Sequence, residues 1–441
     1  MPASEQSRTS RRIWPSEFGW RATVIGVDRG MRVDEFGNEM SARFDETLAG
    51  WRQALHELLD FTGDPIATLD KVNHRDPAFV MGAVFTTAYR ILGGSQPTGS
   101  AVVGGLALLD ERGDHATERE RAHITAVRSL VEGEFENAAS QWDTIAIAHP
   151  LDLVAMKLAH DVCLHIGDDD IRLPSARRAV DSGAFEHNER ATAVVNANLA
   201  FALEEVGQYE EAEHWGRAAL TAEPTDLWAR HALAHVYDAT ERHEDALKLL
   251  VPTSSQWSAQ TLLANHIWWH VGLRLLNHGS IVEAIDVLDR ELVSRTAFGL
   301  ADSTSLLWRI ELASAPSAPN TRWESLVEHW ANVAERHTCG FLDVHAAMAF
   351  CTSPGPQAER FWEGLEASHA EGDTFNDRTF REAVKPIVSS LRLFRAVDHV
   401  GTRDTIESVG SSLRRIGGSV VQREVVTRTA ERADDLRGVV S

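Results

Sequence analysis

The chain contains 441 residues, of which 43% are hydrophobic and 24% charged, so there is enough apolar material to bury a large core. Its net charge of −22 argues against nucleic acid or an anionic membrane surface as the main partner, and no apolar run approaches the roughly 20 residues that span a bilayer. Three widely spaced cysteines (Cys163, Cys339 and Cys351) and a basic start with no hydrophobic segment after it predict a cytoplasmic protein.

The N-terminal region divides into a polar start and a longer helical segment. Residues 1–16 are polar and charged, which predicts disorder. Residues 17–117 predict a helical cap with a glycine-rich loop at Gly93–Gly99 and with helices near 40–59 and 77–91. We expect these helices to cover the apolar end of the helical array that follows, because an uncovered end would be exposed to water.

Residues 118–300 contain a unit of two helices that repeats about five times. A polar turn recurs at intervals of 34, 40, 34 and 38 residues, at Gly133, Gly167, Gly207, Glu241 and Gly279. An amphipathic helix precedes each turn, and a small residue such as Ala138 or Ala246 begins the helix after it. Pro150 and Pro224 end two of the units. This period and these small residues are typical of tetratricopeptide repeats. An irregular helical bundle is the alternative, but it leaves the persistent period unexplained.

Residues 301–441 predict a C-terminal helical extension. Prolines interrupt it at 315–319 and at 353–356. Further on, Ser419 and Gln422 have the spacing of a capping box, which predicts the start of another helix. No run of alternating polar and apolar residues predicts a strand.

Several separated motifs resemble the tetratricopeptide repeat protein 38 family over roughly residues 40 to 435. They are Asp76–Phe79, Arg119–His123, Trp142, His149–Asp161, the histidine pairs His231/His235 and His266/His270, and Ile416–Arg423. The resemblance implies an all-α fold, a tetratricopeptide-repeat right-handed α-solenoid with a helical N-terminal cap and a helical C-terminal extension. It implies no particular reaction.

Two histidine pairs are the most informative feature for function. Each pair, His231/His235 and His266/His270, has i, i+4 spacing, which places both imidazoles on one face of a helix. The pairs are 35 residues apart, close to one repeat, so successive units would bring all four rings to one wall.

The resemblance to tetratricopeptide repeats implies that the first helix of each unit lines a concave groove. Counting from the turn residues places Phe201, Glu204, Glu205 and Asp238 on this groove stripe. Outside the repeats, two acidic residues are paired with candidate functional residues, Asp302 with Arg309 and Asp343 with His345; for both, an ordinary salt-bridged surface is the alternative. The candidate ligand-binding residues are His123, Lys157, Asp161, His165, His231, His235, His266, Trp269, His270, Arg309 and His345.

Three functions are compatible with this groove, besides a purely structural role for individual histidines. The favoured hypothesis is recognition of a small molecule or peptide by the imidazole-lined groove. The second is an enzyme that uses the same histidines for acid–base chemistry or binds a divalent metal such as zinc or iron, with His231, His235, His266 and His270 as ligands. The metal motif is weak, because Ala232 follows the first histidine where metalloproteases have glutamate, and because Trp269 is bulky. The third is a scaffold for a protein partner.

Overall fold

The computed structural model describes residues 32–258, 262–314, 321–369 and 371–440, and these residues form an almost entirely helical protein. The predicted all-α class is therefore confirmed. The helices are α1 Asp45–Leu59, α2 Pro65–Arg75, α3 Val80–Leu92, α4 Ser100–Arg112, α5 Glu118–Val131, α6 Phe135–Ala148, α7 Leu153–Ile166, α8 Asp169–Asp181, α9 Glu189–Glu205, α10 Tyr209–Ala222, α11 Leu227–Ala239, α12 His243–Leu250, α13 Ser254–Trp257, α14 Ala264–Asn277, α15 Ile281–Arg290, α16 Ala297–Ala313, α17 Arg322–Trp330, α18 Gly340–Phe350, α19 Pro356–Ser368, α20 Phe375–Thr379, α21 Lys385–Arg395, α22 His399–Val409 and α23 Val420–Val440.

Short 3₁₀ and π turns connect some of these helices. Four are 3₁₀ turns, at Gly113–His115, Val251–Thr253, Ala334–Arg336 and Gly410–Ile416. A π turn, Phe380–Val384, joins α20 to α21. Each helix in the described residues is too short or too polar to span a bilayer.

The region predicted as a helical cap begins with a small β-hairpin that the sequence analysis did not predict. Strand β1 (Arg32–Val33) pairs antiparallel with β2 (Glu39–Met40), and Oδ1 of Asp34 accepts backbone N–H groups at 2.9 Å within the turn. Two-residue strands have no room for an alternating pattern, which explains why they were missed. The predicted helices near 40–59 and 77–91 correspond to α1 and α3. The predicted disorder of residues 1–16 lies outside the described residues.

Helices α5 to α12, α14 and α15 form successive antiparallel pairs joined at the predicted turns. All five predicted turn residues have a positive φ, namely Gly133 at 81°, Gly167 at 67°, Gly207 at 78°, Glu241 at 58° and Gly279 at 84°. The small residues that follow the turns are fully buried where paired helices touch, as Ala138 and Ala246 show. At Gly216 of α10 a Cβ atom would lie 2.8 Å from the side chain of Leu233 in α11, so the close approach requires glycine there.

The two ends of the chain fold back onto the middle helices. Phe61, after α1, stacks on Trp228 of α11 with ring centroids 5.6 Å apart. From the other end, the backbone N–H of Gly418 donates to the carbonyl of Leu164 in α7 at 3.0 Å. The predicted capping box is present at the start of α23, where Ser419 and Gln422 exchange side-chain-to-backbone hydrogen bonds of 2.9 and 3.2 Å. Helix α23 therefore begins against the C-terminal part of α7.

The hydrophobic core consists of two large clusters with smaller ones between them. One large cluster is formed mainly by α1 to α9, and the other by α14 to α23. The smaller clusters join α9, α10, α11 and α12. Of the two histidine-bearing helices, α11 contributes to the smaller clusters and α14 to the second large cluster.

Candidate functional site

Four imidazoles converge at one buried point, as the spacing of the two pairs predicts. Nε2 of His231 lies 3.0 Å from Nε2 of His235 on the same helix and 3.1 Å from Nε2 of His266 on α14. His270 completes the group, and candidate ligand atoms of all four residues lie within 4.8 Å of one another. His231, His235 and His270 are at most 3% exposed, whereas the His266 side chain is 15% exposed. We call these four residues the histidine cluster.

Carboxylates stand behind two rings of the histidine cluster. Nδ1 of His266 lies 3.0 Å from Oδ1 of Asp302 in α16, and the other oxygen of Asp302 accepts a hydrogen bond of 3.1 Å from Asn265. Asp302 therefore holds the proton of His266 on Nδ1 and turns the Nε2 lone pair toward the cluster. On the opposite side, Oε2 of Glu204 lies 3.2 Å from Nδ1 of His235, at ion-pair distance but without hydrogen-bond alignment.

The short contacts inside the histidine cluster require a cation or a proton between the rings. A neutral imidazole has one N–H donor and one lone pair, and Asp302 leaves His266 with a lone pair at Nε2. A single proton on Nε2 of His231 aligns well with only one of its two neighbours, His235 or His266. A positive ion at the centre of the cluster would instead be bound by several lone pairs at once.

Burial favours the neutral form of three rings of the histidine cluster, those of His231, His235 and His270. Burial, followed by the charges of neighbouring imidazoles, lowers the pKa of His231 and of His270 well below its ordinary value. The pKa of His235 is lowered to about 3, again mainly by burial. Both ring nitrogens of His270 are buried without a hydrogen-bond partner. Neutral imidazole is the form that binds metal ions.

Aromatic side chains enclose the histidine cluster. Phe201 of α9 stacks on His231 with centroids 5.5 Å apart, and Trp228 packs against the same ring at 4.6 Å. Trp269 stacks on His266 at 5.1 Å, with the two planes inclined by 17°. The bulky Trp269 ring, which weakened the sequence-based metal prediction, is fully buried and lies flat against His266.

A pair of glutamates extends the site beyond His235. Ligand atoms of Glu204, Glu205 and His235 form a second group within 4.8 Å. Burial raises the pKa of Glu204 to about 8 and of Glu205 to about 7. Glu205 accepts the backbone N–H of Val420 at 3.0 and 3.1 Å, and Arg423 lies 3.7 Å away. The first turn of α23 is thus bonded directly to this edge of the site.

Of the groove residues predicted on α5 and α7, His123 makes contacts within the protein core. Its Nε2 lies 2.9 Å from Asp152, and its Nδ1 accepts a hydrogen bond of 3.1 Å from Trp142. Both ring nitrogens of this fully buried residue are therefore occupied. His165 stacks on Phe135 with centroids 5.0 Å apart, and burial lowers its pKa to about 4.

Lys157 and Asp161 form an ion pair one helical turn apart on α7. Asp161 also accepts a hydrogen bond of 2.9 Å from Tyr89 of α3. The ammonium of Lys157 lies 5.8 Å from the centre of the Trp228 ring, whose other neighbour is His231. Lys157 and Asp161 therefore lie beside the histidine cluster. Among the described residues, neither side chain forms a hydrogen bond to an imidazole of the cluster.

In the C-terminal extension, the structure contradicts one alternative and one predicted contact. Asp302 and Arg309 are 6% and 5% exposed, so the salt-bridged surface that was the alternative for them is wrong. Asp343 bonds to His337 at 2.9 Å rather than to His345, so the predicted pairing of Asp343 with His345 is also wrong. Nδ1 of His345 instead donates to the carbonyl of Phe341 at 2.7 Å.

The sequence analysis did not include Asp302, Glu204 and Trp228 among the candidate ligand-binding residues. Glu204 falls on the predicted groove stripe, so its position in the repeat could have identified it as a site residue. Asp302 was recognised only as a partner for Arg309, and its real partner, His266, lies 36 residues earlier.

The chain matches no protein-family model.

Proposed function

We propose that this chain is a metal-binding protein in which the histidine cluster holds one divalent transition-metal ion. The convergence of several imidazole nitrogens supports this proposal most strongly. Tetrahedral zinc with Zn–N bonds of about 2.0–2.1 Å separates its ligand nitrogens by about 3.3 Å. The two Nε2–Nε2 distances of 3.0 and 3.1 Å are close to this value and need only a small outward movement.

The donor set favours zinc among the abundant ions. Four imidazoles without thiolate suit zinc, copper, nickel or iron rather than magnesium or calcium, which prefer oxygen. The Asp302–His266 pair reproduces the carboxylate–histidine arrangement that orients metal ligands. Because His266 is the most exposed of the four, we expect the ion to enter and leave past its ring.

For the architecture, we infer that residues 118–300 form a tetratricopeptide-type right-handed α-solenoid. The support is the regular spacing of the five left-handed turn residues and the fully buried alanines behind them. From the separated sequence motifs that resemble it, we propose membership of the tetratricopeptide repeat protein 38 family, with residues 17–117 as cap and 301–441 as extension.

Recognition of a small molecule or peptide is a second candidate function, supported by the partly exposed edge of the cluster. His266, Trp228 and Asp161 are all half-buried. A mainly apolar groove of about 590 Å³ is formed elsewhere, by α12, α14 and α15, and includes Trp268 rather than the histidine cluster. Catalysis by the same histidines and scaffolding of a protein partner remain predictions.

Elemental analysis tests the metal proposal. The protein is produced without a histidine tag, reconstituted with zinc, desalted and analysed by inductively coupled plasma mass spectrometry. We expect about one ion per chain. His235→Ala and His266→Ala should each lose most of it, with circular dichroism showing that helices remain.

His337→Ala is the matched control, since His337 is buried and paired with a carboxylate but lies outside the histidine cluster. It should retain the ion. Wild-type protein that retains no zinc, or a control variant that loses as much as His235→Ala, would contradict the proposal.

A further inference from the structure

We propose that Arg309 is a positioning residue of the metal site, which acts through Trp269 to keep His266 in place on the route of the ion. This role rests on the proposed metal site and controls the rate at which the ion enters and leaves. The first turn of α23 in turn holds Arg309, so the C-terminal helix regulates exchange of the ion.

His266 is the ring that an exchanging ion passes, because the other three rings of the histidine cluster are almost fully buried. Two neighbours hold it. Asp302 bonds to its Nδ1 at 3.0 Å, and Trp269 stacks on the ring with planes inclined by 17°. A single hydrogen bond leaves the ring able to turn about it, whereas a flat neighbour in a close-packed interior opposes that movement. His266 therefore swings aside more easily when Trp269 is free to move.

Trp269 is held by packing and by Arg309. Its ring is fully buried, and its indole N–H has no hydrogen-bond partner in the described residues, so the ring depends on its stacking and packing contacts. The guanidinium carbon of Arg309 lies 5.4 Å from the ring centre, and Arg309 is only 5% exposed. A guanidinium over the face of tryptophan is attracted to it, most strongly where water is excluded. Arg309 thus supplies the cation–π contact that restrains Trp269.

The first turn of α23 fixes the guanidinium of Arg309. One guanidinium nitrogen donates to the backbone carbonyl of Val421 at 2.7 Å and to that of Gln422 at 3.4 Å, and another donates to Ser305 on the same helix as Arg309. In the described part of the chain, no carboxylate lies within salt-bridge distance of Arg309. A buried cation needs such partners, so the position of this guanidinium depends on the carbonyls of α23.

The same turn of α23 also bonds to the glutamate edge of the site. The backbone N–H of Val420 donates to the two carboxylate oxygens of Glu205 at 3.0 and 3.1 Å. The start of α23 is therefore bonded both to Glu205 of α9 and to Arg309 of α16. We expect a looser turn to release Arg309 first, and with it the restraint on Trp269 and His266.

Stopped-flow measurement of zinc exchange tests this role. Zinc-loaded protein is mixed with excess chromophoric chelator to follow release, and metal-free protein is mixed with zinc to follow binding. Arg309→Lys keeps the positive charge near the ion but loses the planar fork that bonds to α23, so we expect release and binding both to become about fivefold faster or more. Because the four imidazoles are unchanged and the two rates rise together, the Kd for zinc should stay within about twofold of the wild-type value.

Val420→Pro supplies a second variant if Arg309→Lys fails to fold. Proline lacks the N–H that Glu205 accepts, and it is tolerated as the first residue of a helix. Exchange should again become faster in both directions with an unchanged Kd. Damage to the ligands themselves would raise the release rate and the Kd together, so the pair of rates distinguishes a positioning role from a merely structural one.

Arg112→Lys is the matched control, because Arg112 is also a buried arginine that donates to a backbone carbonyl, that of Phe79, at 2.7 Å. It lies in α4, and its exchange rates should be those of the wild type. Stoichiometric zinc with unchanged rates in both Arg309→Lys and Val420→Pro would overturn this role and leave the metal proposal standing. Faster release with an equal loss of affinity, or equal acceleration in Arg112→Lys, would also overturn it. Absence of zinc from the wild type would remove both.

Discussion

Replacing Asp302 by asparagine tests whether the carboxylate behind His266 strengthens metal binding. The Asp302 side chain is only 7% exposed and accepts the Nδ1 proton of His266 at 3.0 Å, so little solvent screens its charge. Asparagine keeps the size of the side chain and removes the charge. Loss of such a carboxylate typically weakens metal binding 10–100-fold, which corresponds to about 1.4–2.7 kcal/mol.

The assay is a competition titration in which the protein and a chromophoric chelator share a fixed amount of zinc at neutral pH. Asp302→Asn should shift the apparent Kd by the expected 10–100-fold, while the far-ultraviolet circular dichroism stays that of the wild type. The amide of Asn265, which donates to Asp302 at 3.1 Å, loses part of its hydrogen bonding, so a small loss of thermal stability accompanies the change.

Asp343→Asn is the matched control for this experiment. Asp343 is also buried and bonds to a histidine, His337, at 2.9 Å, but neither belongs to the histidine cluster. It should leave zinc affinity unchanged. A shift of less than about threefold for Asp302→Asn, or an equal shift for both variants, would refute the reasoning that Asp302 acts through His266.

Two further predictions concern stability. Burial lowers the pKa of His160 to about 3, below the unfolded value of about 6.5, so the unfolded chain binds the proton first and this residue costs stability as pH falls below 6.5. His160→Asn should therefore reduce the slope of unfolding free energy against pH between 4 and 6 by up to about 1.4 kcal/mol per pH unit, measured by urea denaturation, and an unchanged slope would contradict it. Glu241 is exposed and has a φ of 58°, so Glu241→Gly should stabilise the protein by about 1 kcal/mol in thermal denaturation, whereas a lower Tm would show that its side chain makes an essential contact.

The local features of the fold were predictable because they depend on neighbouring residues. Turn residues such as Gly207, the buried alanines after them and the capping box at Ser419 are each determined within one helical hairpin. The predicted groove stripe repeats with the unit, and two of its residues, Phe201 and Glu204, contact histidines of the cluster.

Contacts between distant parts of the chain were not predictable from one sequence. His123 lies on the groove stripe, but its bonds to Asp152 and Trp142 depend on how three helices meet, and this geometry directs it into the core. The docking of α23 on Glu205 joins residues 215 positions apart. No periodic pattern encodes such a pairing, so only the structure reveals that α23 contacts this edge of the site.

The arrangement of the site follows from one repeated step along the chain. Glu204 contacts His235, His231 contacts His266 over 35 residues, and His266 contacts Asp302 over 36. Each contact joins two of these helices in chain order, from α9 through α11 and α14 to α16. An i, i+4 pair supplies two imidazoles from one helix, and the next unit supplies two more at the same height. Glu204 of α9 and Asp302 of α16, which lies beyond the predicted repeats, then contribute a carboxylate each. The repeat period can therefore bring four imidazoles to one point, where we propose that they bind a metal ion.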